Sequence, residues 1–345
     1  MQIKKVLLSA FGGAACCALI LTAQEAAPTA TAPDGGQKKQ RPKRPPRPGV
    51  STPGVKRDIK AITPDAVFSA PGTPDWQVST SEAEWVSNGP KNSLHRMDPK
   101  SNTVTAVIEV GKKPCSGLAA GFGSIWVPNC ADKTISRVDI KTNTVVATLQ
   151  VSPSESEGGI AASQDGVWIV SDAKGVLSKI DPKTNTVSAE VPVPPKSAGV
   201  VFGDGKIWVT SPDSNMLTGV DAKTNKVVFS TEVGPRPRFV TAGGGSIWTL
   251  NQGDGTVSRV DAKTGKLLAN IECGLPGTGG EIAYGAGYVW ATVFEIPITQ
   301  IDPATNKVVK QWFGDGGDSI RIAHGSVWLS NLRAGNVWRF SPEQP

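Results

Sequence analysis

His95 and His324 are the two histidines among 345 residues. Two cannot supply a polyhistidine metal site together with a separate histidine base. No phosphate-binding loop, zinc-ligand spacing or Gly-x-Ser-x-Gly elbow occurs, so no metal and no cofactor is expected. The chain has five cysteines, of which Cys115, Cys130 and Cys273 lie outside the N-terminal segment. Cys115 and Cys130 flank a hairpin that turns near Phe122 and Gly123, and they stand symmetrically about that turn. They should face each other across the ladder, within disulfide reach, and an oxidising compartment would let them bond. Cys273 is then an odd thiol with no histidine near it in sequence, and it is expected to be inert. Eight further residues could bind a ligand: Trp76, Arg236, Arg238, Phe239, Glu281, Glu295, Asp318 and Arg321. Their aromatic faces could stack on it, and their guanidinium groups could hold an anionic or carbonyl group.

What singles these eight out is a repeat that they break. Trp85, Trp126, Trp168, Trp208, Trp248, Trp290 and Trp328 are separated by 41, 42, 40, 40, 42 and 38 residues. An aspartate follows each of the first six: Asp98, Asp139, Asp181, Asp221, Asp261 and Asp302. Each opens a turn such as Asp181-Pro182-Lys183-Thr184-Asn185, closed by asparagine or, at Gly265, by glycine. That is a type I hairpin turn ending in a left-handed residue. A period near forty with several short strands predicts an all-β fold, a seven-bladed β-propeller of four-stranded antiparallel blades. In blade two the strands a to d are predicted at 116–120, 124–129, 134–140 and 144–151. The tryptophans lie on strand b, where a residue present in every blade serves blade packing. The seventh blade has strands at 319–323, 326–331 and 335–340 and then the sequence ends. Residues 65–69 should supply its outer strand and close the ring.

In a repeat, symmetric positions are structural, and positions that break the symmetry are candidates for a site. The position that opens strand a is Gly117, Gly159 and Gly199 in blades two to four. In blades five, six, seven and one it is read as Phe239, Glu281, Arg321 and Trp76. Arg236, Arg238 and Asp318 precede it. This predicts a lopsided pocket at the channel mouth, on the face of the d–a loops. The other reading is that Glu281 and Arg321 pair with each other while the aromatics fill gaps around the axis. Phe294 and Glu295, in the b–c loop of blade six, and Trp312 and Phe313 could extend the patch.

The pattern Gly123-Ser124-Ile125-Trp126-Val127-Pro128-Asn129, then Thr134 to Asp139, then Thr142 to Leu149, resembles the YVTN-type seven-bladed propellers. These are often grouped with the virginiamycin B lyase-like, or streptogramin lyase-like, superfamily. The resemblance spans about 64–341 and rests on turn and core residues, so it speaks for fold more than for function. It implies a lyase using histidine with magnesium-binding carboxylates in Glu-x-His form. Neither His95 nor His324 has a glutamate two residues before it, so that pattern is not met.

Residues 1–23 have Lys4 and Lys5 followed by an uncharged apolar stretch, which reads as a signal peptide, the alternative being a retained anchor. Cys16 and Cys17 form no lipoprotein box. Residues 24–63 read as a disordered, proline-rich basic linker, and 64–345 as the propeller. The net charge of +6 belongs to the first two segments: without Lys4, Lys5 and residues 24–60 the chain is at −2. A nucleic-acid role for the ring is therefore not expected, and contact with an anionic envelope polymer would fall to the linker. The sequence points to an exported monomer, periplasmic, envelope-bound or secreted. It would act as a binding or scaffold module for a small molecule or an envelope protein. A metal-assisted lyase or lactonase, with Mg2+, is the alternative.

Overall fold

The computed structural model describes residues 48–344. The leader expected over 1–23, and the linker as far as residue 47, lie outside the described residues. The tryptophan period builds seven antiparallel sheets, the blades, with strand a innermost. Blade two shows the unit: a, Ala119–Gly121; b, Ser124–Asn129; c, Thr134–Asp139; d, Thr144–Leu149. Strand b is buried along its whole length, because neighbouring blades cover both of its faces. Strand d exposes most of its residues at the rim. Among the described residues no helix is long and apolar enough to cross a membrane.

The repeated residues do the same work in each blade. All seven repeat tryptophans are at most 1% exposed. The indole N–H of Trp126, Trp208, Trp248 and Trp290 donates to a carbonyl of the a–b hairpin, while Trp85 and Trp168 use the hydroxyls of Thr80 and Ser163. Arg137 and Arg259 cover Trp126 and Trp248, at 4.8 and 4.9 Å from the rings. The same guanidiniums then reach the c–d turn of the next blade, at Pro182 and Pro303. In those turns the aspartate accepts the amide two residues on. The closing residues Asn102, Asn143, Asn185, Asn225, Gly265 and Asn306 have φ between 54 and 70°, the left-handed conformation that the Asn-to-Gly exchange requires.

Ala66–Ser69 pairs antiparallel with Asn336–Phe340 and completes blade seven. Phe68 seats on Trp328 with ring centroids 5.1 Å apart. Arg339 reaches across the same junction to the Pro99 carbonyl of blade one. The linker predicted up to residue 63 is corrected here. Lys56–Asp58 runs parallel to Gln311–Phe313 as a fifth strand of blade six. Val55, Ile59 and Ile62 are 6%, 5% and 4% exposed, so three apolar residues in a basic, proline-rich stretch suffice to fold it onto the ring. This strap begins at Gly49, whose amide donates to the Gly274 carbonyl.

Candidate functional site

Ladder register fixes the depth of each candidate in the channel. Val78, Ala119, Ala161, Val201, Thr241 and Ala283 each face the tryptophan of their own blade. In blade seven the residue facing Trp328 is Arg321. The ring position of blade seven is therefore Ser319, and Arg321 lies one pleat deeper than the repeat predicts. The cause is the shorter spacing before Trp328. A shift of two residues keeps a side chain on the same side of the strand, so Arg321 still lines the channel.

Glycine and non-glycine ring positions divide the channel into two halves. A Cβ on Gly159 would lie 2.2 Å from the Val200 nitrogen, and one on Gly199 2.6 Å from the Arg238 carbonyl. The inner strands of blades three to five approach so closely there that no side chain fits, whereas Gly117 of blade two meets blade three only at ordinary contact. Opposite them, Trp76 and Phe239 meet with ring centroids 5.9 Å apart, 6% and 4% exposed. Glu281 takes the Arg321 guanidinium at 2.5 Å, the Ile320 amide at 3.2 Å and the Ser319 hydroxyl. Of the two arrangements open from sequence, the pairing and gap-filling one describes these four residues. They line an axial cavity of ≈ 330 Å³.

The remaining candidates lie farther out on the d–a loop face. Arg236, Arg238, Phe239 and Asp318 border a depression of ≈ 410 Å³, with Gln252 and Phe294 on its wall. Arg238 binds Glu155 at 2.9 Å and the Ser156 carbonyl at 3.0 Å. Glu295 lies in a separate hollow with Asp315 and Trp338, where Arg333 stacks 4.6 Å from the Phe294 ring centre. Trp312 is 1% exposed and belongs to the core rather than to the patch.

Two carboxylates at this mouth escaped the sequence reading. Asp75 shares a hydrogen bond with Asp318, and both feel the charge of Glu281. Burial, together with its acidic neighbours Asp318 and Glu157, holds the Asp75 carboxyl well above the usual range. Burial raises Asp318 to about 6 and Glu157 to about 7. One residue outward of the ring, blades one, five and seven carry Asp75, Arg238 and Asp318, where the others carry Ser116, Gly158, Ala198 and Gly280. The same symmetry test, moved by one position, would have found Asp75. Glu157, in the loop entering blade three, had no such signal. The result is a mouth of carboxyl groups that can hold or release protons near neutral pH, with Arg236 and Arg238 beside them.

The histidines lie elsewhere. His95 is buried in blade one against the Ser93 hydroxyl at 3.2 Å, and burial lowers its pKa. His324 sits in the a–b hairpin of blade seven, edge-on to Trp328. Among the described residues no three His, Cys, Asp or Glu side chains are placed to hold one metal ion. Cys115 and Cys130 are paired, with Cα atoms 5.9 Å apart. Ala119 to Gly121 pair with Trp126 to Ser124 in the register expected for that hairpin, and a shift of two residues precedes the Pro114–Asn129 bridge. Cys273 is free and buried, and burial pushes its thiol up.

Residues 131–344 match the family model described as outer membrane protein assembly factor BamB (PQQ_2). No curated protein matches the chain. Among solved structures the chain is similar to a streptogramin B lyase, at 18% identity and TM-score 0.65, over 79% of this chain and 93% of that one. It is also similar to virginiamycin B lyase from Staphylococcus aureus, at 13% identity and TM-score 0.67, over 80% and 98% of the two chains. BamB from Moraxella catarrhalis gives 16% identity and TM-score 0.58, over 80% and 84%. At these identities the likeness shows a common fold, the β-propeller, as the turn and core residues led one to expect. The family match spans most of the folded ring, and by it the chain belongs to the family of the outer membrane protein assembly factor BamB.

Proposed function

We propose that the chain is an exported β-propeller of the cell envelope, acting as a binding or scaffold module through its d–a loop face. One observation carries this reading: charges that break the sevenfold symmetry converge at one mouth. Asp75, Glu157, Arg238 and Asp318 come from blades one, three, five and seven and interact there. A propeller needs none of them to close, and burying carboxyl groups together raises the energy of the ring. Perturbed groups gathered in a cleft are what a contact surface for a polar partner requires. The family description supports an envelope protein as that partner, with a small molecule as the other candidate. In an oxidising compartment Cys115 and Cys130 form a disulfide, which intact mass with and without reductant would read. The basic segment before the strap suits an anionic envelope polymer.

The test is photo-crosslinking in cells. A photoreactive residue replaces Arg236 or Glu295 on the mouth face, or Asp204 or His324 on the a–b hairpin face. Adducts to envelope components are expected from the mouth face alone. Equal adducts from both faces, or none from the mouth, would count against the proposal. A metal-assisted lyase or lactonase is the second reading, favoured by the facing carboxyls of Asp75 and Asp318, whose raised pKa values suit proton transfer. A rise in thermal stability specific to Mg2+ or another divalent ion would support it over the binder.

A further inference from the structure

The axial cavity is narrowed at the d–a end, where half-buried Glu157 also borders the outer depression, and is accessible from the opposite face. At the d–a end Trp76, Phe239 and Glu281 are all at most 6% exposed. Toward the a–b hairpins the lining residues Ala120, Ala162, Phe202, Tyr284 and Ile322 are half-buried, so solvent reaches them. The side chains on those walls are mainly apolar, with polar atoms exposed among them, and the cavity of ≈ 330 Å³ is of the size that holds a small organic molecule.

One charged side chain stands at the depth of the ring tryptophans. Arg321 occupies the position that is Val78, Ala119, Ala161, Val201, Thr241 or Ala283 in the other blades. It gives one N–H to Glu281 and one to the Ile320 carbonyl, at 2.5 and 2.7 Å. A guanidinium has five N–H donors, so three are left over. Its side chain stays 24% exposed toward the lumen. Glu281 is meanwhile satisfied by two further donors, Ser319 and the Ile320 amide. The pair is thus locally neutral but retains donors, and Glu157, raised by burial to about 7, adds at most a partial negative charge at the same cavity's far end. Such a site favours an uncharged acceptor over an anion.

We infer that the axial channel is a second binding site, entered from the a–b hairpin face, for a slender apolar molecule bearing an uncharged acceptor such as a carbonyl. Its apolar body would lie along the inner strands and its oxygen would accept from Arg321. The site does not depend on the proposed function, since it opens on the other face. Prodan, an uncharged naphthalene ketone whose emission reports polarity, is the probe, titrated into the intact chain. Saturable one-to-one binding with a blue-shifted emission is expected. Arg321→Met should weaken it about tenfold, the loss of one charge-assisted hydrogen bond. Val201→Trp, which fills the lumen at the same depth, should abolish it. An anionic naphthalene sulfonate should bind more weakly than prodan. Binding that does not saturate, that survives Val201→Trp, that ignores Arg321→Met, or that favours the sulfonate would overturn the inference. Should Arg321→Met not fold, the lumen-filling variant and the sulfonate comparison still decide.

Discussion

At the scale of single residues, blade one departs furthest from the repeat. Glu84 stands where Ile125, Val167, Ile207, Ile247, Val289 and Val327 stand in the other blades, and like them it is fully buried. One carboxyl oxygen accepts the Ser79 hydroxyl and the other has no partner. Burial therefore raises its pKa from 4.5 to about 8. The folded chain then keeps a proton that the unfolded chain has released across that interval. Stability should be highest near the lower end, fall as pH rises toward 8 and level off above it. Asp318 and Glu157 add the same sign over narrower windows, up to about 6 and about 7. The turn aspartates, held below their usual range by backbone N–H groups, act only in more acid solution. Glu84→Gln is neutral throughout and removes the widest of these contributions. Denaturant unfolding should show the native chain losing on the order of a few kcal/mol between pH 5 and 8. The variant should decline more shallowly, and equal slopes would refute the assignment. The sequence carried this signal plainly, as a lone acid in a column of aliphatics.

At the scale of elements, the repeat made almost everything legible. Strand b of blade two and its turn were readable to the residue, because a pattern repeated seven times averages out local ambiguity. The strap was not. Its apolar residues Val55, Ile59 and Ile62 are diluted by lysine, arginine and proline, and their partners are some 250 residues away in sequence. The strap rests on the neighbourhood of Cys273: Gln311 donates to the Cys273 carbonyl and accepts from the Val50 amide. A Cβ on the adjoining Gly274 would touch Gly49. Cys273 should therefore be inert to a thiol reagent in the native chain, since it is both buried and poorly ionised. Ile59→Asp, which places a charge against blade six, should loosen the strap. The thiol should then react within minutes, well below the temperature of global unfolding. Unchanged reactivity would mean that blades five and six bury the thiol without help.

At the scale of the whole molecule, the N-terminal segment has three consecutive jobs, and successive truncations separate them. Residues before 48 contribute charge: the ring itself is near neutral, so the basic excess lies almost wholly ahead of or within the strap. Removing them should leave unfolding unchanged while abolishing salt-sensitive binding to anionic vesicles. Removing residues up to 62 also takes the fifth strand from blade six, leaving the edge of Lys307–Phe313 unpaired. That should lower stability and favour self-association, because an exposed edge is a template for another strand. Removing residues up to 70 takes the outer strand of blade seven as well. The edge of Asn336–Phe340 is then bare, and Trp328 loses Phe68. Since each blade is held mainly by its neighbours, a ring that cannot close loses the reciprocal contact that makes its unfolding one event. The expected calorimetric series is one transition for the first truncation, one at lower temperature for the second, and a broad or split transition for the third. A single sharp transition after the last truncation would show that Arg339, reaching the Pro99 turn of blade one, holds the ring shut without the strand.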